Sequence, residues 1–232
     1  MSAIHTIHVR GQGAAAWLAA VTLARFVAAE PADVSIEAIP GDDVSWGLRP
    51  SSAKLHAAIG LDPVRLGQHV SDAELAVALK ATAKRIGIRE TQGDADITVV
   101  TDVADSLWRG REVAVGRAAL PTSLPGELGM HILHETLMAL VESFPSAELF
   151  DVERQEYVRR VEAIAPNIRE MEMLKVKAEP DARLEHRLRV WQGTGRVIPT
   201  DHDPFTKDEW IAAMRAAGVE AQGRSLLEAV RG

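Results

Sequence analysis

Residues 7–20, IHVRGQGAAAWLAA, constrain this chain more than any other stretch. Ile4, Ile7 and Val9 read as a short strand over 4–10, closed by Gly11 and Gly13. An alanine- and leucine-rich run over 13–29 predicts a helix, with Trp17, Leu18, Val21, Leu23 and Phe26 as its apolar positions. Strand, glycine turn and helix in that order are the sequence form of a dinucleotide-binding turn. Gly11 permits the tight turn, Gly13 lets the backbone approach a pyrophosphate, and Ala16 at the third fingerprint position lets helix and strand pack closely. The first helical N–H groups, at Gly13 and Ala14, would then point at the phosphates. The other reading of the same residues is a βα turn that needs small side chains for packing alone. Arg10 stands beside the turn, where it could pair with a phosphate.

The rest of the chain alternates in the same way. Val34–Ile39 reads as a second strand, ended by Pro40-Gly41-Asp42-Asp43. A dinucleotide fold holds the ribose hydroxyls with an acid near the end of this strand, and Glu37 is the nearest candidate. Ser51 or Ser52 caps a predicted helix over 52–59, ended by Gly60. Asp72 is the expected cap of the next, with Leu75, Val77, Leu79, Ala83 and Ile86 in helical spacing, Gly87 at its end, and Lys80, Lys84, Arg85 and Arg89 on its solvated face. Ile97–Thr101 and Arg111–Gly116 are β-branched runs that complete an α/β pattern. PTSLPGELG over 121–129 reads as a loop leading into a helix of about 14 residues, on which His131 and His134 share a face. With Glu135 they form H-x-x-H-E, which matches neither order of a zinc-hydrolase helix, so capping or core histidines are the expectation. Asp201-His202-Asp203 reads as a turn rather than a metal triplet. From Asp151 the sequence becomes strongly charged and helical, with a break or kink expected near Pro166, a further helix over 181–192, and a last one capped by Thr206 or Asp208. The domain reading is a Rossmann-like region over 1–150 with a helical C-terminal region over 151–232 packed on it.

Composition narrows the classes. A net charge of −7, from 26 basic and 33 acidic residues, argues against a general nucleic-acid or membrane-surface binder. Without cysteine there are no disulfides, thiolate chemistry or Cys-ligated zinc. No apolar run reaches the roughly 18 residues of a membrane span, and MSAIHTIHVRG shows no signal-peptide h-region, so a soluble cytoplasmic protein is the expectation.

Several blocks then resemble the flavin-dependent tryptophan halogenases. GQGAAAWLAAVTLARF at 11–26 looks like that family's opening G-x-G-x-x-G-W-x-A-A-x-x-L-A-R, with Trp17 directly after the fingerprint. RPSSAKLHAAIGLD at 49–62 is similar to the helix that follows the second strand, and HVSDAELAVALKATAKRIGI at 69–88 to the family's H-x-D-x-x-L helix, allowing one inserted residue. REVAVGRAA at 111–119 resembles the strand and turn beside the flavin, which makes Gly116 a cofactor-binding candidate. MHILHETLMALVESFPS, EYVRRVEAIAPNIREMEMLKVKAE, WQGTGRV and FTKDEWIAAMRAAGV follow in the family's order. The resemblance implies an FAD/NAD(P)-type α/β fold, FAD as cofactor, and Gly11, Gly13, Ala14, Ala16, Glu37 and Gly116 as its binding residues.

It also exposes departures. Family members are more than twice this long, and the missing part is mostly substrate-binding. Where the family's catalytic lysine belongs, this chain has PVRLGQ at 63–68, without lysine. Gly126 takes the place of the family's glutamate, with Glu127 one residue out of register. The family's tryptophan-rich motif has no counterpart. These departures imply a fold kept without halogenase activity, so no catalytic residue and no metal ligand is assigned. A pseudoenzyme that binds a partner, either a second copy as a homodimer or a full-length relative, is the alternative. A small enzyme with new chemistry would draw on Glu127, His131 and His134 as acids or bases.

Overall fold

A computed structural model describes residues 6–47, 53–61, 69–91, 93–145, 151–198, 200 and 202–221. The chain divides into two units, Met1–Val161 and Glu162–Gly232.

The first unit is built on a six-stranded sheet. In chain order it comprises β1 (Ile7–Gln12), α1 (Gly13–Phe26), β2 (Val34–Ile39), β3 (Ser45–Gly47), α2 (Ala53–Ala58), β4 (His69–Ser71), α3 (Asp72–Ile86), β5 (Arg89–Glu90), β6 (Ile97–Val100), β7 (Trp108–Arg109), β8 (Glu112–Ala114) and α4 (Pro125–Glu142). The strand order is β5-β2-β1-β6-β8-β7, with β3 and β4 pairing apart as a small antiparallel ribbon. Every pairing in the large sheet is parallel except β7 with β8. β1 is flanked by β2 on one side and β6 on the other, so the chain leaves β1 in one direction and returns on the opposite flank. A crevice opens at such a switch point, outside the carboxyl ends of the strands. Gly11 and Gly13 stand there, on β1 and at the start of α1.

Local signals explain most boundaries. α1 packs on β1, β2 and α3, and all its residues from Ala16 to Ala24 are buried, the alanines allowing close approach. It ends at Phe26, which is nearly half exposed, so the helix stops short of the expected residue 29. α3 ends at Gly87 in the left-handed conformation, as a C-terminal glycine permits. Its cap is Ser71, whose hydroxyl accepts from the Glu74 N–H while the Glu74 side chain accepts from Ser71, a reciprocal capping box. Asp72, the expected cap, is instead the first helical residue. The expected loop over 121–129 is also helical from Pro125. Proline fits the first helical position, where its missing N–H is not needed. Gly126 and Gly129 lie within that helix, where a Cβ on either would meet Ser45 O or the Trp46 ring, at 2.7 and 3.0 Å. Ser51 and Ser52 lie outside the described residues.

α5 (Asp151–Val176) runs as helix through Pro166 without a break. In the second unit its residues from 162 onward join α6 (Ala182–Thr194) and α7 (Lys207–Ala216). Asp181 caps α6 and Thr206 caps α7. Beside its buried apolar residues the unit holds a buried polar knot. The Arg187 guanidinium reaches Glu170 at 2.8 Å, Asn167 at 3.0 Å and Asp203 at 3.4 Å, and lies 4.0 Å over the Trp210 ring. Trp210 Nε1 donates to Asp203 in turn, so Asp203 serves the turn and the knot together.

Candidate functional site

The glycine turn brings Gly13 to a cleft of about 450 Å³ whose walls include Trp17, Ile39, Pro40, Asp42 and Asp43. Gly13 has φ +49°, a conformation open to glycine at little cost. Gly11 is required on steric grounds, since a Cβ there would lie 1.9 Å from Thr101 Oγ1 at the end of β6.

α1 begins without a cap of its own. Gln12 makes no side-chain capping bond and the first turn carries no acid, so nothing local answers the positive end of the helix dipole. The answer comes from 58 residues away: Asp72 Oδ1 accepts from the Ala14 N–H at 3.0 Å. The same oxygen accepts from Trp46 Nε1 at 2.9 Å, and the Asp72 N–H donates to Val44 O at 2.9 Å. Two glycines clear the space. A Cβ on Gly13 or on Gly41 would fall 2.0 Å from Asp72 Oδ2. Asp72 is 6% exposed, a buried carboxylate held at the N-terminus of α1.

The other expected binding residues are dispersed. Ala16 is fully buried inside α1. Glu37 lies mid-strand in β2, opposite Arg10, with its carboxylate 3.9 Å from His8 Nε2. Burial is the main influence lowering the His8 pKa, with Arg10 adding to it and Glu37 opposing it. At the tip of β2 the carboxylates are Asp42 and Asp43, and Arg117 spans to Asp42 at 3.0 Å. Arg10 pairs with Glu112 at 3.1 Å, away from the turn. Gly116 has φ +60°, gives its N–H to Thr136 Oγ1 at 2.7 Å, and a Cβ there would lie 3.0 Å from Leu133 Cδ1. Sequence reasoning missed Asp72, Gly41 and Trp46 as parts of this site. The one available signal was α1's missing cap.

His131 and His134 are both buried core residues. His134 Nε2 meets His56 Nε2 at 3.2 Å, and burial lowers the His56 pKa. Neither histidine, nor Glu127, lines the cleft. Among the described residues no three His, Asp or Glu side chains converge as metal ligands, and no helix is long and apolar enough to cross a membrane.

A parallel sheet wound outward from β1, with a glycine turn at its switch point, defines an α/β protein of the Rossmann, dinucleotide-binding class. The sequence pattern of the tryptophan halogenase family matches residues 63–231, and the chain belongs to that family. Solved structures carry the likeness through the glycine turn as well. One is Xcc4156, a flavin-dependent halogenase from Xanthomonas campestris (TM-score 0.80, 11% identity, covering 99% of this chain and 92% of that one). Others are BrvH, a flavin-dependent halogenase from Brevundimonas sp. BAL3 (0.74, 9%, 95% and 91%) and the tryptophan 6-halogenase SttH from Streptomyces toxytricini (0.71, 11%, 95% and 91%). At these identities the likeness is one of fold. No curated protein matches the chain by sequence.

Proposed function

We propose that this chain is a non-halogenating member of the tryptophan halogenase family that keeps the Rossmann crevice as a nucleotide site, suited to the adenosine half of FAD rather than to the whole dinucleotide. The cleft at the glycine turn carries this reading. Asp42 and Asp43 stand where ribose hydroxyls would be held, and Trp17, Ile39 and Pro40 offer an apolar wall to a base. The fit stops at the pyrophosphate, whose place at α1 is taken by Asp72. A bound flavin would supply redox chemistry.

Two features support the loss of halogenation. PVRLGQ offers no lysine to guide hypohalous acid. Gly126, which replaces the family's glutamate, could not carry a side chain without displacing the Ser45 carbonyl, 2.7 Å from its would-be Cβ. The test is an assay for chlorotryptophan from tryptophan, chloride and reduced FAD, run beside titrations with adenosine and FAD. No chlorinated product and saturable adenosine binding are expected. Product would overturn the first half of the reading, and absence of any binding the second.

The second reading is a pseudoenzyme that serves as a binding partner for a second copy or a full-length relative. The Asp72 contact favours it, because α1 is complete without a ligand. Sedimentation tests the homodimer, and a monomer at micromolar concentration would count against it.

A further inference from the structure

We infer that Asp72 is the specificity-determining residue of the glycine turn: its carboxylate stands in for the first phosphate of a dinucleotide, so the cleft selects a nucleoside over its pyrophosphate-bearing forms. The inference rests on the nucleotide reading above and deepens it.

An N-terminal helix turn and two glycines would ordinarily present bare N–H groups to a pyrophosphate. Here that volume holds a carboxylate. Gly13 and Gly41 are both needed to admit it, since a Cβ on either would lie 2.0 Å from Oδ2. Its oxygen takes the Ala14 N–H that a phosphate would take, and the Trp46 indole N–H fixes it from the other side. A pyrophosphate must therefore break two charge-assisted hydrogen bonds before it makes its own.

Charge adds to the barrier. The cleft is lined by the carboxylates of Asp42, Asp43, Asp72 and Glu90 against the single ammonium of Lys80. That ammonium is already 2.7 Å from Glu90. Arg117, on the far side of the turn, is paired to Asp42. A neutral nucleoside meets none of this repulsion and finds hydroxyl acceptors in Asp42 and Asp43.

Calorimetry with adenosine, ADP, FAD and inorganic pyrophosphate on the wild type, Asp72→Ala and Asp72→Asn tests the assignment. The amide NMR signal of Ala14 reports where each ligand sits. Losing one charge-assisted hydrogen bond corresponds to about tenfold in affinity or more. ADP and pyrophosphate are therefore expected to bind Asp72→Ala at least about tenfold more tightly than the wild type and to shift Ala14, with adenosine unchanged. Asp72→Asn keeps the shape and removes the charge, so it should fall between and guards against a folding failure of the alanine variant. If ADP and pyrophosphate bind the wild type and both variants alike, or bind none of them, the inference is overturned. The two claims separate cleanly. Equal, tight FAD binding by wild type and variants upholds the nucleotide reading and overturns the role of Asp72. Pyrophosphate shifting Ala14 only in the variants, with no uptake of adenosine or FAD by any of them, overturns the nucleotide reading and the selection of a nucleoside, and leaves Asp72 only as the group that keeps phosphate off the turn.

Discussion

Gly13→Ala should be severely destabilising in the wild type and mild once Asp72 is gone. Its φ of +49° costs an L-residue about 1–2 kcal/mol. The new Cβ would also fall 2.0 Å from Asp72 Oδ2, so the carboxylate must leave. That forfeits its bonds from Ala14 and Trp46, together about 3 kcal/mol at the low end for charged acceptors. Gly13→Ala is thus expected to cost about 4–5 kcal/mol, and Asp72→Ala, which forfeits the same two bonds, about 3 kcal/mol. In the double variant the clash is absent and only the φ strain is added. Its total should stay near 4–5 kcal/mol, a coupling of about 3 kcal/mol. Hydrogen exchange of the α1 amides in urea measures this, because it reports the first unit alone. Costs that add to within ~0.5 kcal/mol would refute the claim that this glycine exists to admit that carboxylate.

Three further outcomes follow from the same geometry. Arg187→Ala strips the cation from buried Asp203 and leaves buried Glu170 with Arg183 alone, so the second unit should lose about 3 kcal/mol, read from exchange of the α6 and α7 amides. Tyr157→Phe removes a fully buried hydroxyl that donates to Ala114 O, and should lower the urea midpoint of the first unit by the equivalent of about 1–2 kcal/mol. Stability should fall as pH drops below about 6.5, because burial lowers the folded-state pKa of His56 and His8 while the unfolded chain takes up protons there. His56→Phe should flatten the slope of urea midpoint against pH between about 7.5 and 5.5.

The elements that local chemistry specifies were legible in the sequence. Val34–Ile39 is a β-branched run and is strand β2. Gly87 ends α3 in the left-handed conformation that only glycine adopts freely, and Thr206, one of the two expected caps, forms a capping box with Glu209. Where the reading failed, a distant neighbour or a position within the helix decided. Gly126 and Gly129 look like loop residues, yet they lie in a helix, and they are glycine there because a Cβ would meet Ser45 O or the Trp46 ring. Pro166 looks like a break, yet α5 runs through it. Asp72 looks like the cap of its own helix, yet Ser71 performs that role and frees Asp72 for α1.

The sequence by itself therefore determined the glycine turn, the α/β alternation and the family, because turn residues, periodicity and segment order act over a few residues at a time. What the turn faces was decided by tertiary structure alone. The Asp72 carboxylate reaches Ala14 only because β3, β4 and the start of α3 fold back over the carboxyl end of β1. Both the missing cap of α1 and its distant replacement are consequences of one requirement, that the free N–H groups and the dipole at a buried helix start be met by an anion. The requirement can be read from the sequence; which anion meets it depends on which groups the fold brings within about 3 Å.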